Sequence, residues 1–177
     1  MKRSVTAVIL MLMLLCLAAC GGEAQKNGEA AAEPVPGQET AQEDANWYFM
    51  KGDVRIEIGA QAEPILKALG DPQSSYEAPS CALDGMDVVY TYPGFEVLTY
   101  VMDGEAKISG VVLRDDTVET AEGVCIGSSK ADVQAAYGSI EEGAASLRMT
   151  KGNCELLVIL TDDAVSSIQY LMADGTV

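Results

Sequence analysis

The sequence contains no histidine, one tryptophan and two phenylalanines in 177 residues, and its 11 basic side chains are outnumbered by 27 acidic ones. Without histidine there is no Ser-His or Cys-His pair and no imidazole ligand, which removes the commonest general base and the commonest zinc ligand. A formal charge of -16 repels phosphate backbones and excludes nucleic acid as a partner. The length allows one ordinary domain or two small halves, not a large multidomain enzyme.

The longest apolar stretch, Val5 to Leu17, falls short of the roughly 20 residues a spanning helix needs. It follows Lys2 and Arg3 and ends in Leu17-Ala18-Ala19-Cys20, the order of a secretory signal: positive residues, short hydrophobic segment, small residues. L-A-A-C followed by Gly21 resembles the lipobox of bacterial lipoproteins. The resemblance implies cleavage between Ala19 and Cys20 and lipidation of Cys20, with Cys16 discarded. The expected location is then extracytoplasmic, on the outer leaflet of the cell membrane, because two or three acyl chains hold a protein where one does so only marginally.

Residues 20–46 carry six acids, one lysine and a single branched aliphatic, Val35, too little apolar surface to order a chain. They read as a disordered acidic linker with a root-mean-square span of about 30 Å. Every aromatic residue, the tryptophan included, lies beyond Asn46, so residues 47–177 are expected to form the folded domain. That domain holds eight basic and 21 acidic side chains. The mildly positive mean hydropathy, +0.13, owes much to the signal segment.

Two segments of the domain share a frame. Ile58-Gly59 through Gly70 and Ile126-Gly127 through Gly138 each place two glycines 11 apart, with Ile65 and Leu69 matching Val133 and Tyr137 on one helical face. Ser129 and Asp132 have capping-box spacing, and Pro64 fits only the first turn of a helix. Ile56 and Ile58, like Val124 and Ile126, read as strand residues leading into these helices. Each helix is followed by three expected strands: 87–92, 95–102 and 107–113, then 146–151, 154–160 and 165–171. Turn pairs Pro93-Gly94, Asp103-Gly104, Gly152-Asn153 and Asp162-Asp163 separate them. Ile108, Val111 and Leu113 repeat the 3-then-2 spacing of Val165, Ile168 and Tyr170, which predicts a bulge at the same place in both strands.

The expected fold is therefore α+β: two tandem helix-plus-three-strand antiparallel meander repeats, about 54–116 and 117–171, forming a curved sheet with helices on one face. The repeated glycine-helix-meander frame resembles the tandem repeat of the beta-lactamase-inhibitor-protein-like fold, shared with the SmpA/OmlA envelope-assembly lipoproteins. The stretches S-C-A-L-D-G-M-D-V-V-Y-T-Y and T-A-E-G-V-C-I-G resemble uncharacterised lipoproteins of Firmicutes. What this implies is architecture; no inhibitory contact residue matches.

Candidate sites are few. Cys81, Cys125 and Cys154 allow one disulfide and one free thiol, with all three pairings open. Asp115-Asp116, Glu141-Glu142 and Asp162-Asp163 read as solvated turns, and no calcium-loop pattern is present, so no metal, cofactor or catalytic residue is assigned. Tyr90, Tyr92, Phe95 and Tyr100 surround the Pro93-Gly94 turn and form the expected partner contact. The expected function is a membrane-anchored, non-enzymatic module that binds a protein partner on its open sheet face. An envelope-assembly or maintenance factor is the alternative, followed by a carboxylate-based hydrolase.

Overall fold

The computed structural model describes residues 45–80, 85–102 and 104–173. The signal segment, the cleavage position Ala19-Cys20, nearly all of the linker, and Cys81 lie outside them. The described elements are β1 (Tyr48–Lys51), β2 (Val54–Glu57), α1 (Ala62–Leu69), β3 (Ser74–Pro79), β4 (Met86–Tyr92), β5 (Phe95–Met102), β6 (Glu105–Leu113), α2 (Lys130–Tyr137), β7 (Ser146–Lys151), β8 (Cys154–Thr161) and β9 (Ala164–Met172). Strands β1 and β2 form a hairpin of their own. The other seven make one antiparallel sheet in the order β3-β4-β5-β6-β9-β8-β7.

This arrangement overturns the expected α+β fold of two tandem repeats. The described chain is mostly strand with two helices of eight residues each, and one continuous sheet replaces two repeat units. Four of its strands come from before α2 and three from after it. Two strands are unexpected: β1, and β3, whose S-S-Y-E-A-P sequence has no apolar alternation. Ile56 belongs to the separate β1–β2 hairpin, while Ile58, Val124 and Ile126 lie outside the named strands. Short helices are marginal by themselves, and here they serve as covers for a sheet that carries most of the pairing.

The bulges occur where the 3-then-2 spacing places them. The register shifts where Leu98 and Thr99 face Gly110 and Ile108, leaving Ser109 as the extra residue. It shifts again where Ile159 and Leu160 face Ser167 and Val165, leaving Ser166 extra. Beyond each bulge the strand edge is closed by the loop before a helix. Gly59 N–H donates to Ile108 O (2.7 Å) and Ile108 N–H to Ala60 O (2.9 Å); Gly127 N–H donates to Val165 O and Val165 N–H to Ser128 O, both 2.8 Å. Each of these loops runs directly into its helix. α2 starts with the full capping box: Ser129 Oγ accepts from Asp132 N–H, and the Asp132 carboxylate accepts from Ser129 N–H. The Ser129 hydroxyl, then its backbone N–H, holds the Asp132 carboxyl below its ordinary range. α1 has no side-chain cap, and Pro64 sits in its first turn, where its missing N–H costs nothing.

The core lies on one sheet face. Val97, Ile108, Val111, Leu156, Val158, Ile168 and Tyr170 project from that face and are essentially inaccessible. Against them pack Phe49 and Ile56 of the hairpin, Ala62 of α1 and Val133 of α2. Phe49 anchors the hairpin, its ring centroid 5.1 Å from that of Phe95 and 6.2 Å from that of Tyr170. Burying one such large side chain contributes about 1.5–3 kcal/mol.

The β4–β5 turn is packed inward. Gly94 O accepts from Arg114 N–H at 2.8 Å. A Cβ on Gly94, which has φ +86°, would lie 2.5 Å from Thr117 Oγ1 and 2.9 Å from Val118 Cγ1, whereas Gly104, with φ +80°, faces open space. Gly104→Ala is expected to cost about 1–2 kcal/mol for the left-handed backbone alone. Gly94→Ala should cost roughly 2–5 kcal/mol, because overpacking adds to it. Denaturant midpoints of the two variants check the difference; equal losses would contradict the packed turn.

Candidate functional site

Residues directly opposite in antiparallel strands share a face, so the registers define what the other side of the sheet presents. Its middle row is Tyr76, Val89, Leu98, Gly110 and Leu171, apolar across five adjacent strands. The neighbouring row runs Thr91, Glu96, Val112, Gln169, Leu157 and Arg148. A third begins Ala78, Asp87, Tyr100 and Lys107. Among the described residues no helix or hairpin covers this face: α1, α2 and the β1–β2 hairpin supply the core on the opposite side. Val89, Leu98, Val112 and Leu171 are half-buried by their neighbours, while Tyr76, on the edge strand, is 70% exposed. A sheet face left to water normally alternates toward polar residues. This one is apolar along its centre.

Charged residues stand around that centre in opposite-sign pairs. Arg114 Nε lies 3.7 Å from Glu96 Oε1, and Arg148 pairs with Glu155 across β7 and β8. Lys107 and Asp87 flank Tyr100 on either side in the third row.

The four expected contact residues are divided by the structure. Tyr92 and Phe95 lie on the covered face, 5% and 1% exposed, with stacked rings 5.2 Å apart. Tyr92 Oη donates to Gly70 O at 3.3 Å, and burial, with lesser contributions from Tyr90 and Asp71, pushes its phenol up. Tyr90 shares that face and is half-buried. Tyr100 alone points to the open face, and it is 7% exposed. At the hairpin tip Tyr92, Gly94 and Phe95 are buried, and Pro93 is exposed. Hairpin position alone does not tell which side of a strand is covered. Tyr76 escapes sequence reasoning because its strand has no periodic signal.

The cysteines in the described residues are both free thiols. Cys154 is on the covered face and fully buried, and burial pushes its thiol up to about 12. Cys125 is half-buried, its Sγ 3.5 Å from Ser128 Oγ, and its N–H donates to that same oxygen at 3.0 Å.

Of the acidic pairs, Asp162 and Asp163 have φ of +51° and +60°, the backbone of a two-residue type I′ hairpin turn. Asp115 accepts from the Thr117 hydroxyl and N–H, which holds its carboxyl below the ordinary range. Among the described residues no three His, Cys, Asp or Glu side chains are grouped to hold a metal ion. Tyr137 Oη lies 2.6 Å from Thr120 Oγ1 and 2.8 Å from Glu122 Oε2. A carboxylate only accepts, so the single phenol proton goes to Glu122 and the Thr120 hydroxyl is left to donate to Tyr137. The adjoining concavity, about 430 Å³ between Glu122, Ser128, Asp132 and Ala136, is shallow.

Alkylation under native conditions is expected to modify Cys125 well before Cys154. Stability should also fall with alkali from a defined point. The unfolded thiol of Cys154 ionises near 9.0, whereas the folded one holds its proton to about 12. Its contribution is therefore complete below pH 9 and declines as pH rises toward 12. Cys154→Ala should flatten the onset between about pH 9 and 10 in denaturation measurements. Above that, the raised phenols of Tyr137 and Tyr170 continue the decline.

No family model matches the chain, and no curated protein matches it in sequence. Over 65% of its length the chain is similar to a segment of the crystal structure of an extracellular protein containing a SCP domain from Bacillus anthracis str. Ames, at 16% identity and a TM-score of 0.39. The chain spans 44% of that protein.

Proposed function

We propose that this protein is a lipid-anchored, extracytoplasmic interaction module that engages a protein partner through the open face of its seven-stranded sheet and performs no chemistry of its own. The supporting observation is the apolar row Tyr76–Val89–Leu98–Gly110–Leu171, which runs across five strands with no described element on it. An apolar strip rimmed by charges has the anatomy of a protein interface: a desolvated centre and a polar surround. The anchor rests on the L-A-A-C-Gly21 sequence. Lipid at Cys20 and the acidic residues that follow would hold the sheet near a membrane without burying it.

Two measurements test the anchor and the face separately. Cells fed a labelled fatty acid should label the wild-type chain, and Cys20→Ser should abolish labelling and release the protein from the membrane fraction. Unlabelled wild-type protein would remove the anchor from the proposal. A photoreactive amino acid replacing Val112, on the open face, should give a protein adduct in intact cells, whereas one replacing the exposed Glu63 of α1 should give none. Absence of any adduct from Val112 would remove the interaction face.

A further inference from the structure

The open face lacks the acidic excess of the rest of the domain. Across residues 47–177 acidic side chains outnumber basic ones 21 to eight, yet the rows of the open face and their ion-pair partners carry Asp87, Glu96 and Glu155 against Lys107, Arg114 and Arg148. Glu105, at the start of β6, is held at the margin by Gln61 Nε2, which donates to it at 2.6 Å. The face is electrically balanced, and four of the six charges are already paired across strands. A cationic partner finds its attraction on the acidic remainder of the surface, where nothing directs it to this face. A partner whose contact face is strongly acidic gains nothing either, because the cations of this face are matched in number by its carboxylates. What a balanced, apolar face fits is a surface of the same kind, and the nearest such surface is its own copy: a two-fold interface must be self-complementary, which a face of one sign cannot be and a face bearing both signs can.

The area is sufficient. Seven strands at about 4.8 Å make a face roughly 34 Å wide, and three side-chain rows about 7 Å apart make it roughly 20 Å deep. Two such faces remove on the order of 1,400 Å² from water, within the about 1,200–2,000 Å² of a stable interface. Sheets pack face to face about 10 Å apart with their strands within about 30° of parallel, so the two twisted sheets can stack without rearrangement.

We infer that two copies of this chain pair face to face through the open sheet, forming a four-layer dimer with both sets of helices outward. The inference rests on the interaction-face reading above and names its occupant.

The test uses the full-length chain purified in mild detergent. Sedimentation equilibrium should show a dimer, and differently tagged copies expressed together should appear in one Val112 photoadduct. Raising ionic strength from about 10 mM to about 150 mM shortens the screening length from about 30 Å to about 8 Å. Association should therefore tighten several-fold, because the repulsion between two acidic bodies is screened while the apolar contact is not. Tyr76→Glu, an exposed edge position whose substitution leaves the core untouched, should weaken the dimer about tenfold, as expected for an interface aromatic. Val112→Arg should abolish it with little change in thermal midpoint.

A monomer at every concentration overturns the inference, as does a dimer that both variants leave unchanged. A Val112 adduct with a different protein, or within the same chain, also overturns it. The first of those two outcomes leaves the interaction-face reading standing, whereas no adduct at all removes both.

Discussion

Everything in the domain hangs on a seam four residues long. β6 and β9 pair only through Gly110–Leu171, Val111–Tyr170, Val112–Gln169 and Leu113–Ile168, yet this pairing joins the two groups of strands into one sheet. A seam so short leaves the remainder of both strands with unpaired edges inside the protein, and unpaired backbone groups there are costly. The loops at Gly59 and Gly127 take those edges, and the bulges at Ser109 and Ser166 mark where each strand passes from one partner to the other. The helices are thereby fixed by the same hydrogen bonds that finish the sheet. Their placement on one side follows from the loops, and the other side is left without a described helix or hairpin.

The few basic residues are spent locally. Lys51 lies 5.6 Å from the Phe95 ring centroid, Arg55 3.7 Å from that of Tyr48 and Lys151 5.2 Å from that of Trp47. Such contacts contribute about 0.5–1 kcal/mol each at exposed sites. With Lys107, Arg114 and Arg148 on the open face, five cations of the domain remain elsewhere against 18 acidic side chains, so the rest of the molecule keeps its negative field. That field opposes association through the covered side. Specificity by exclusion arises from distribution, not from the total.

What the sequence makes legible is local. Turn pairs such as Pro93-Gly94 and Asp162-Asp163, the Ser129–Asp132 cap and the bulge spacing are each decided by neighbours along the chain, and each can be read from it. The pairing of β6 with β9 cannot, because it joins residues distant in sequence and no local pattern selects it. β3 is hidden for a related reason: Ser74–Pro79 is an edge strand, and only its pairing with β4 makes it one. Pro79 ends it, as suits a strand that must not recruit another. The open face does leave a trace. Val88-Val89, Val111-Val112 and Leu156-Leu157 are adjacent apolar pairs, and adjacent residues point to opposite faces of a strand. Each places one apolar residue on the covered face and one on the open side. The aromatic cluster divides between the two faces, because aromatic content says nothing of side.

The join between the folded domain and the chain before it lies at the open end of the β1–β2 hairpin, where Tyr48 pairs with Glu57, and it is tied across to the turn between β7 and β8. Asn46 Oδ1 accepts from Asn153 N–H at 3.1 Å, and Trp47 Nε1 donates to Met149 O at 3.1 Å, while Asn153 Nδ2 reaches on to Ile58 O at 2.9 Å. Tension along the upstream chain is consequently delivered to the turn between β7 and β8. The resisting bonds there link side chain to backbone at the margin of the sheet and would break in succession, as in unzipping, before the central strands bore load.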